Sequence, residues 1–148
     1  MTNSESLPAS GSRRIPRRIG AILGGLVVVV ILDTGLDVLM HATGIYPPWF
    51  QPMSTSLWLL ATSYRTIDGM IGGYVAARLA PDRPLAHALA LGVVGFLLSS
   101  AAAVGTWNKG PEFGPKWYAL ALVGISLPSA CLGGYLRARQ IKPNIERH

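Results

Sequence analysis

Residues 56–80 read SLWLLATSYRTIDGMIGGYVAARLA, and the reading of this stretch decides the fold. It is long enough to cross a bilayer as a helix, which takes ~20 residues. Yet Arg65 and Asp68 stand in its middle. After them come Gly69, Gly73 and Ala77, small residues spaced by four. Positions four apart share one helix face, so Arg65 lies on the same stripe as these three. Asp68 is three residues from Arg65 and four from Gly72, so it borders that stripe. Small residues let helix backbones approach closely in lipid. The arginine and the aspartate are therefore expected to face other helices, not acyl chains.

Three more apolar runs accompany this one. The expected spans are about 19–43, 57–80, 86–107 and 116–138, inside a transmembrane domain of 19–139. Only 14% of the 148 residues are charged, against about 25% in an average soluble domain. The polar segment 1–12 lacks periodicity and is expected to be disordered, as part of a basic tail over 1–18. Residues 140–148 form a second expected tail. A secretory leader would also begin with basic residues before an apolar run. Here the run is too long and carries Asp33 and Asp37.

Charge placement orients the chain. Arg13, Arg14, Arg17 and Arg18 precede the first run, and Arg78 and Arg83 lie between the second and third. Arg137, Arg139, Lys142 and Arg147 follow the fourth, whereas the opposite connections hold only Lys109 and Lys116. By the positive-inside rule both termini are cytoplasmic. This topology explains the net charge of +6 without nucleic acid. Trp49, Trp58, Trp107, Trp117, Tyr46 and Tyr118 fall at the outer ends of the runs, and Tyr74 and Tyr135 near the inner ends, as interfacial belts do.

GGYVAAR (72–78) and GGYLRAR (133–139) agree at five of seven positions. Gly69, Gly73 and Ala77 then correspond to Ala130, Gly134 and Ala138, and Gly72 to Gly133. The pattern predicts two helical hairpins in tandem, related by an axis along the membrane normal. These eight residues are the expected packing positions. Pro128 lies inside the fourth run and should bend it.

Asp33, Asp37 and His41 repeat every four residues, so they form a polar stripe on the first helix. At ~1.5 Å per residue, Asp33 lies roughly 15 Å in from Thr43, Arg65 roughly 12 Å in from Leu57, and Asp68 roughly 16 Å. Asp33 is thus the expected partner of Arg65. A charge at mid-bilayer costs ~2.5–3.5 kcal/mol on insertion scales. Asp33, Asp37 and Asp68 around Arg65 would sum to −2 if all were ionised. A proton, a cation or a water-filled cavity must relieve that surplus. The cluster Asp33, Asp37, His41, Arg65 and Asp68 is open to three readings: an ion pair that fixes packing, a proton, ion or solute pathway, or a metal site on Asp33, Asp37, His41 and Asp68.

Several chemistries have no support in the residues. His41 and His87 lie near opposite surfaces, which excludes a bis-histidine haem between them. His87 reads as interfacial. Ser126, Ser129 and Cys131 surround Pro128 and read as partners of a broken helix backbone rather than nucleophiles. With a single cysteine there is no internal disulfide. No phosphate loop, HExxH or GxSxG motif occurs. Neither enzyme activity nor a cofactor or resident metal is expected.

The run YRTIDGMIGGYVAARLAPDRPLAHALALGVVG (64–95), with TWN (106–108) and PSACLGGYLRAR (128–139), resembles a group of small bacterial four-span membrane proteins. The elements that carry it are Tyr64–Arg65, the GGY-x-x-x-R ends and the ARLAP-x-RP-x-x-H turn. The resemblance implies a bacterial inner membrane and no activity. The expected molecule is an all-α, integral membrane four-helix bundle. It has two transmembrane hairpins, lies in the lipid bilayer and works by helix association with itself or in a larger membrane complex. The alternative is a small transporter or ion-coupled permease built on the Asp/Arg cluster.

Overall fold

The structure is a computed structural model that describes residues 14–141. It is all-α among these residues. Four long helices follow one another: α1 (Arg14–Ala42), α2 (Thr55–Leu79), α3 (Pro84–Thr106) and α4 (Lys116–Ile141). A short 3₁₀ turn, Pro111–Phe113, interrupts the last connection. α1 already begins at Arg14, so Arg14, Arg17 and Arg18 are helical and not part of a tail over 1–18. Pro16 sits in the first turn, where its missing N–H leaves no intrahelical bond unmade. At the other end α4 runs on through Ile141, past the expected limit of 139. The expected disorder of 1–12 and the tail 142–148 lie outside the described residues.

The turn between α2 and α3 is as tight as its sequence suggests. Arg83 takes a left-handed backbone, φ 41°, and Pro84 opens α3. A proline disfavours right-handed helix in the residue before it, so α3 cannot start earlier. The Arg18 guanidinium donates to the Asp82 carboxylate across this end of the bundle. That bond holds the Asp82 carboxyl below its usual range. Both side chains are exposed, so salt screens the pair and little stability depends on it.

α2 is the hub. It packs on α1, α3 and α4, and α4 packs on α2 and α3. α1 leans mainly on α2. Contacts between α1 and α2 run in opposite senses along the chain, from Gly24 beside Leu79 to Asp37 beside Arg65. Those between α3 and α4 do too, from Ala88 beside Gly134 to Ser99 beside Ser126. α2 and α4 are parallel: Gly69 meets Ser129, and Tyr74 donates to Gln140 at 2.7 Å. Both ends of the described chain therefore lie at one end of the bundle.

The glycines among the expected packing positions all meet another helix, but not symmetrically. Gly73 lies against the Ala130 backbone, and Gly133 against the backbone of Met70 and Tyr74. Gly72 instead faces Gly25 and Val29 on α1, and Gly134 faces Ala88 on α3. A two-fold axis would send Gly72 and Gly133 to equivalent partners. It does not, because α2 has three neighbours to fit and α4 only two. Ala77 is buried and Ala138 half-buried. The matched letters supply small residues to both helices, and each helix spends them on different neighbours.

Three segments are long and apolar enough to cross a membrane: Ile15–Ala42, Pro84–Thr106 and Pro111–Ile141. Their outward surface carries Leu23, Val27, Val30, Ile31, Leu97 and Leu132, all more than half exposed. So large an apolar surface marks a membrane protein. α2, diluted by Thr62, Ser63, Arg65, Thr66 and Asp68, is the long helix missing from that set. It turns Ala61, Tyr64, Asp68, Gly72, Gly73, Ala76 and Ala77 inward.

Candidate functional site

The polar residues of α2 converge with those of α1 in the bundle core. Arg65 Nη2 donates to Asp37 Oδ2 at 2.6 Å. Arg65 Nε lies 3.8 Å from Asp33 Oδ2, too far for a hydrogen bond. The close partner is thus Asp37, one turn further out than the expected Asp33. The reason is side-chain direction. Helical side chains lean toward the N-terminus of their own helix. On α2 that lean carries the long arginine outward, past the level of its own Cα.

Tyr64 completes the clamp. Its hydroxyl donates to Asp37 Oδ1 and accepts from Arg65 Nη1 at 3.2 Å. Tyr46, in the α1–α2 connection, donates to the same hydroxyl at 3.4 Å. Both tyrosines are buried, in an aromatic core with Trp58 and Tyr118. Asp37 is therefore a fully partnered carboxylate. Arg65, Asp37 and Asp33 keep only 20%, 24% and 27% of their side-chain surface exposed.

Tyr64 went unread as a site residue, and so did Tyr46. Both types suit a membrane interface, which hides a structural hydroxyl among belt residues. The available signal was position: Tyr64 is the tenth residue of α2, not at its end. The belt itself is divided. Trp49 and Trp107 stay exposed, whereas Tyr46, Trp58 and Tyr118 turn inward. Tyr64→Phe is expected to cost about 1.5–3 kcal/mol, the range for a hydrogen bond to a charged group. Thermal unfolding in detergent checks it, and an unchanged midpoint would show that the hydroxyl holds nothing.

His41 shares the α1 stripe but not the ion pair. Its Nδ1 lies 2.8 Å from the Asp37 carbonyl, so that nitrogen carries the proton and donates. Its ring stacks on Trp49 at 3.5 Å, with planes 6° apart. Among the described residues no three His, Cys, Asp or Glu side chains converge to hold a metal ion. His87 is buried rather than interfacial, and its Nδ1 lies 3.2 Å from the Arg83 carbonyl. The first turn of α3 packs inward there, with Ala88 buried beside it.

Asp68 goes elsewhere. It is only 3% exposed, and its Oδ2 has no hydrogen-bond partner. Asp33 Oδ1 is also buried without one. The antiparallel register of α1 on α2, with Gly25 on Ala76, Val29 on Gly72 and Asp37 on Tyr64, sets the two carboxyls opposite each other. The expected cluster thus resolves into two parts: a partnered clamp of Asp37, Tyr64 and Arg65, and an unpartnered pair, Asp33 and Asp68.

Two cavities flank the clamp. An outer one of about 190 Å³ is lined by Asp37, His41, Trp49, Trp58, Glu112 and Tyr118 among others. A central one of about 140 Å³ lies among all four helices, with Asp33, Ser99, Ser126 and Ser129 on its wall. Arg65 lines both. Ser126 donates to the Leu122 carbonyl at 2.6 Å and meets Ser99 across the α3–α4 contact at 3.2 Å. Ser129 turns its hydroxyl to the Ser126 carbonyl at 3.3 Å. The two serines of α4 bond to the Leu122 and Ser126 carbonyls and not to the Gly124 carbonyl that Pro128 leaves without a donor, and together with Ser99 they give the cavity a polar wall.

No protein-family model, curated protein or solved structure matches the chain.

Proposed function

We propose that this chain is a small carrier of the bacterial inner membrane, with four spans and both ends cytoplasmic. The observation that supports it is the position of Arg65, held by Asp37 and Tyr64 between an outer and a central cavity. Ion pairs that only fix packing have no need of cavities on both sides. Intramembrane charges lining cavities are typical of solute and ion pathways. The outer cavity favours a cation: aromatic faces attract one, and Glu112 leaves it a net negative charge once Arg65 offsets Asp37. α2 counts as the fourth span because its polar groups are spent on neighbours rather than shown to lipid.

The test is flux in vesicles holding the purified chain, with tetramethylammonium as the probe. Wild type should exceed protein-free vesicles, and Asp37→Asn should lose at least tenfold while remaining folded. Equal flux with and without protein would sink the carrier.

A second reading, association with itself, is favoured by the outer face of α1. Gly20 and Gly35 have nothing within 4 Å, and Val27, Ile31 and Val38 beside them are exposed. Light scattering in detergent separates the two: a single-chain mass removes association.

A further inference from the structure

We propose that Asp33 and Asp68 hold one proton between them, as the proton site of this core. As a coupling site it rests on the carrier reading above; as a chemical state it stands on geometry alone. Asp68 is 3% exposed and its Oδ2 is unpartnered. Asp33 stands opposite it in the α1–α2 register, and its Oδ1 is unpartnered too. Two ionised carboxylates set opposite each other repel, most strongly where water is scarce. A proton on either one turns that repulsion into a charge-assisted hydrogen bond. Other proteins use this device where two carboxyls share a site.

The surroundings neither replace the proton nor make it superfluous. On α1 the neighbouring charge is Asp37, already bound by Arg65 and Tyr64 of α2. Arg65 Nε stands 3.8 Å from Asp33 and gives it no hydrogen bond. α3 brings only the hydroxyl of Ser99, and α4 those of Ser126 and Ser129, with Tyr118 beyond Arg65. A metal ion would need a fuller set of oxygen ligands than two carboxyls provide. One proton lowers the formal charge of the cluster from −2 to −1. It can come and go through the central cavity, whose wall Asp33 forms.

The test is infrared spectroscopy of the purified full chain in detergent, read at the carbonyl stretch of a protonated carboxyl. At neutral pH wild type should show the band of one buried acid, shifted by heavy water and lost on raising the pH. Asp82 adds nothing there, since Arg18 keeps it ionised. Asp33→Asn and Asp68→Asn should each perturb or remove the band, and Asp37→Asn should keep it. Sodium chloride should leave it unchanged. Three results overturn the proposal: no band in wild type at neutral pH, a band that sodium removes, or one lost only with Asp37. The wild-type arms decide even if a variant fails to fold. A band without solute flux sinks the carrier and keeps the shared proton; flux without the band does the reverse.

Discussion

Gly133→Val is expected to leave the chain without a native bundle, seen as loss of the cooperative unfolding transition in detergent. A Cβ at Gly133 would overlap the Met70 carbonyl oxygen and approach the Tyr74 backbone nitrogen to 2.7 Å. Overpacking a core commonly costs ~1–3 kcal/mol, because side chains move aside. Here the obstacle is backbone, so α2 and α4 must separate along their whole contact. Every other contact of α2 shifts with it, including the Arg65 clamp. A loss on the order of the ~5–15 kcal/mol stability of a typical protein is reached quickly. Gly124→Ala is the control. Gly124 is on the same helix with nothing within 4 Å, so alanine should match or exceed wild type. If the Gly133 variant melts with wild type, α2 and α4 are not in backbone contact.

Arg65→Met is the second large effect. It leaves the Asp37 carboxylate buried without its cation, and breaking such a pair costs ~3–5 kcal/mol. Asp37→Asn should destabilise by less, since the amide still accepts from Arg65. Combining the two should recover part of the loss, for a coupling of ~1–3 kcal/mol. The same cycle on Asp33 and Arg65 should give a coupling well under half of that, as expected from 3.8 Å against 2.6 Å. Thermal midpoints in detergent measure both. Equal couplings would mean that Arg65 divides itself between the two aspartates.

Much of this core was legible in the residue order. Hydrophobic runs near bilayer length located four helices to within a few residues, because length and apolarity are coarse constraints. The small residues at 69, 72, 73, 130, 133 and 134 marked the close contacts, because at each of the five glycines even one added methyl would run into a neighbouring helix. The Asp/Arg cluster was legible because charge in an apolar run must be satisfied by something nearby. Which aspartate takes Arg65 was not. Counting rise per residue places Cα atoms, whereas the guanidinium sits several bonds away, toward the outer end of α2. Tyr46 and Tyr64 were hidden for another reason: sequence separates them by 18 residues, and only the folded connection brings their hydroxyls together. The repeat misled in a subtler way. It was present in the letters, but equal residues need not meet equal neighbours.

The modest apolarity of α2 bears on how the chain is made. On the four-span reading α2 must leave the insertion machinery carrying Arg65 and Asp68, as the one long helix among the described residues that is not apolar enough to count as a span by itself. α1 has by then been synthesised, with Asp37 within reach of that arginine. The two can partition into lipid together as a hairpin, its charge of opposite sign already joined. An Asp37→Leu chain, with no acceptor left at that position, would present the translocon with a guanidinium short of its close partner. Misplaced topology, detectable by labelling engineered cysteines in the 43–54 connection, would then precede any defect in the finished bundle.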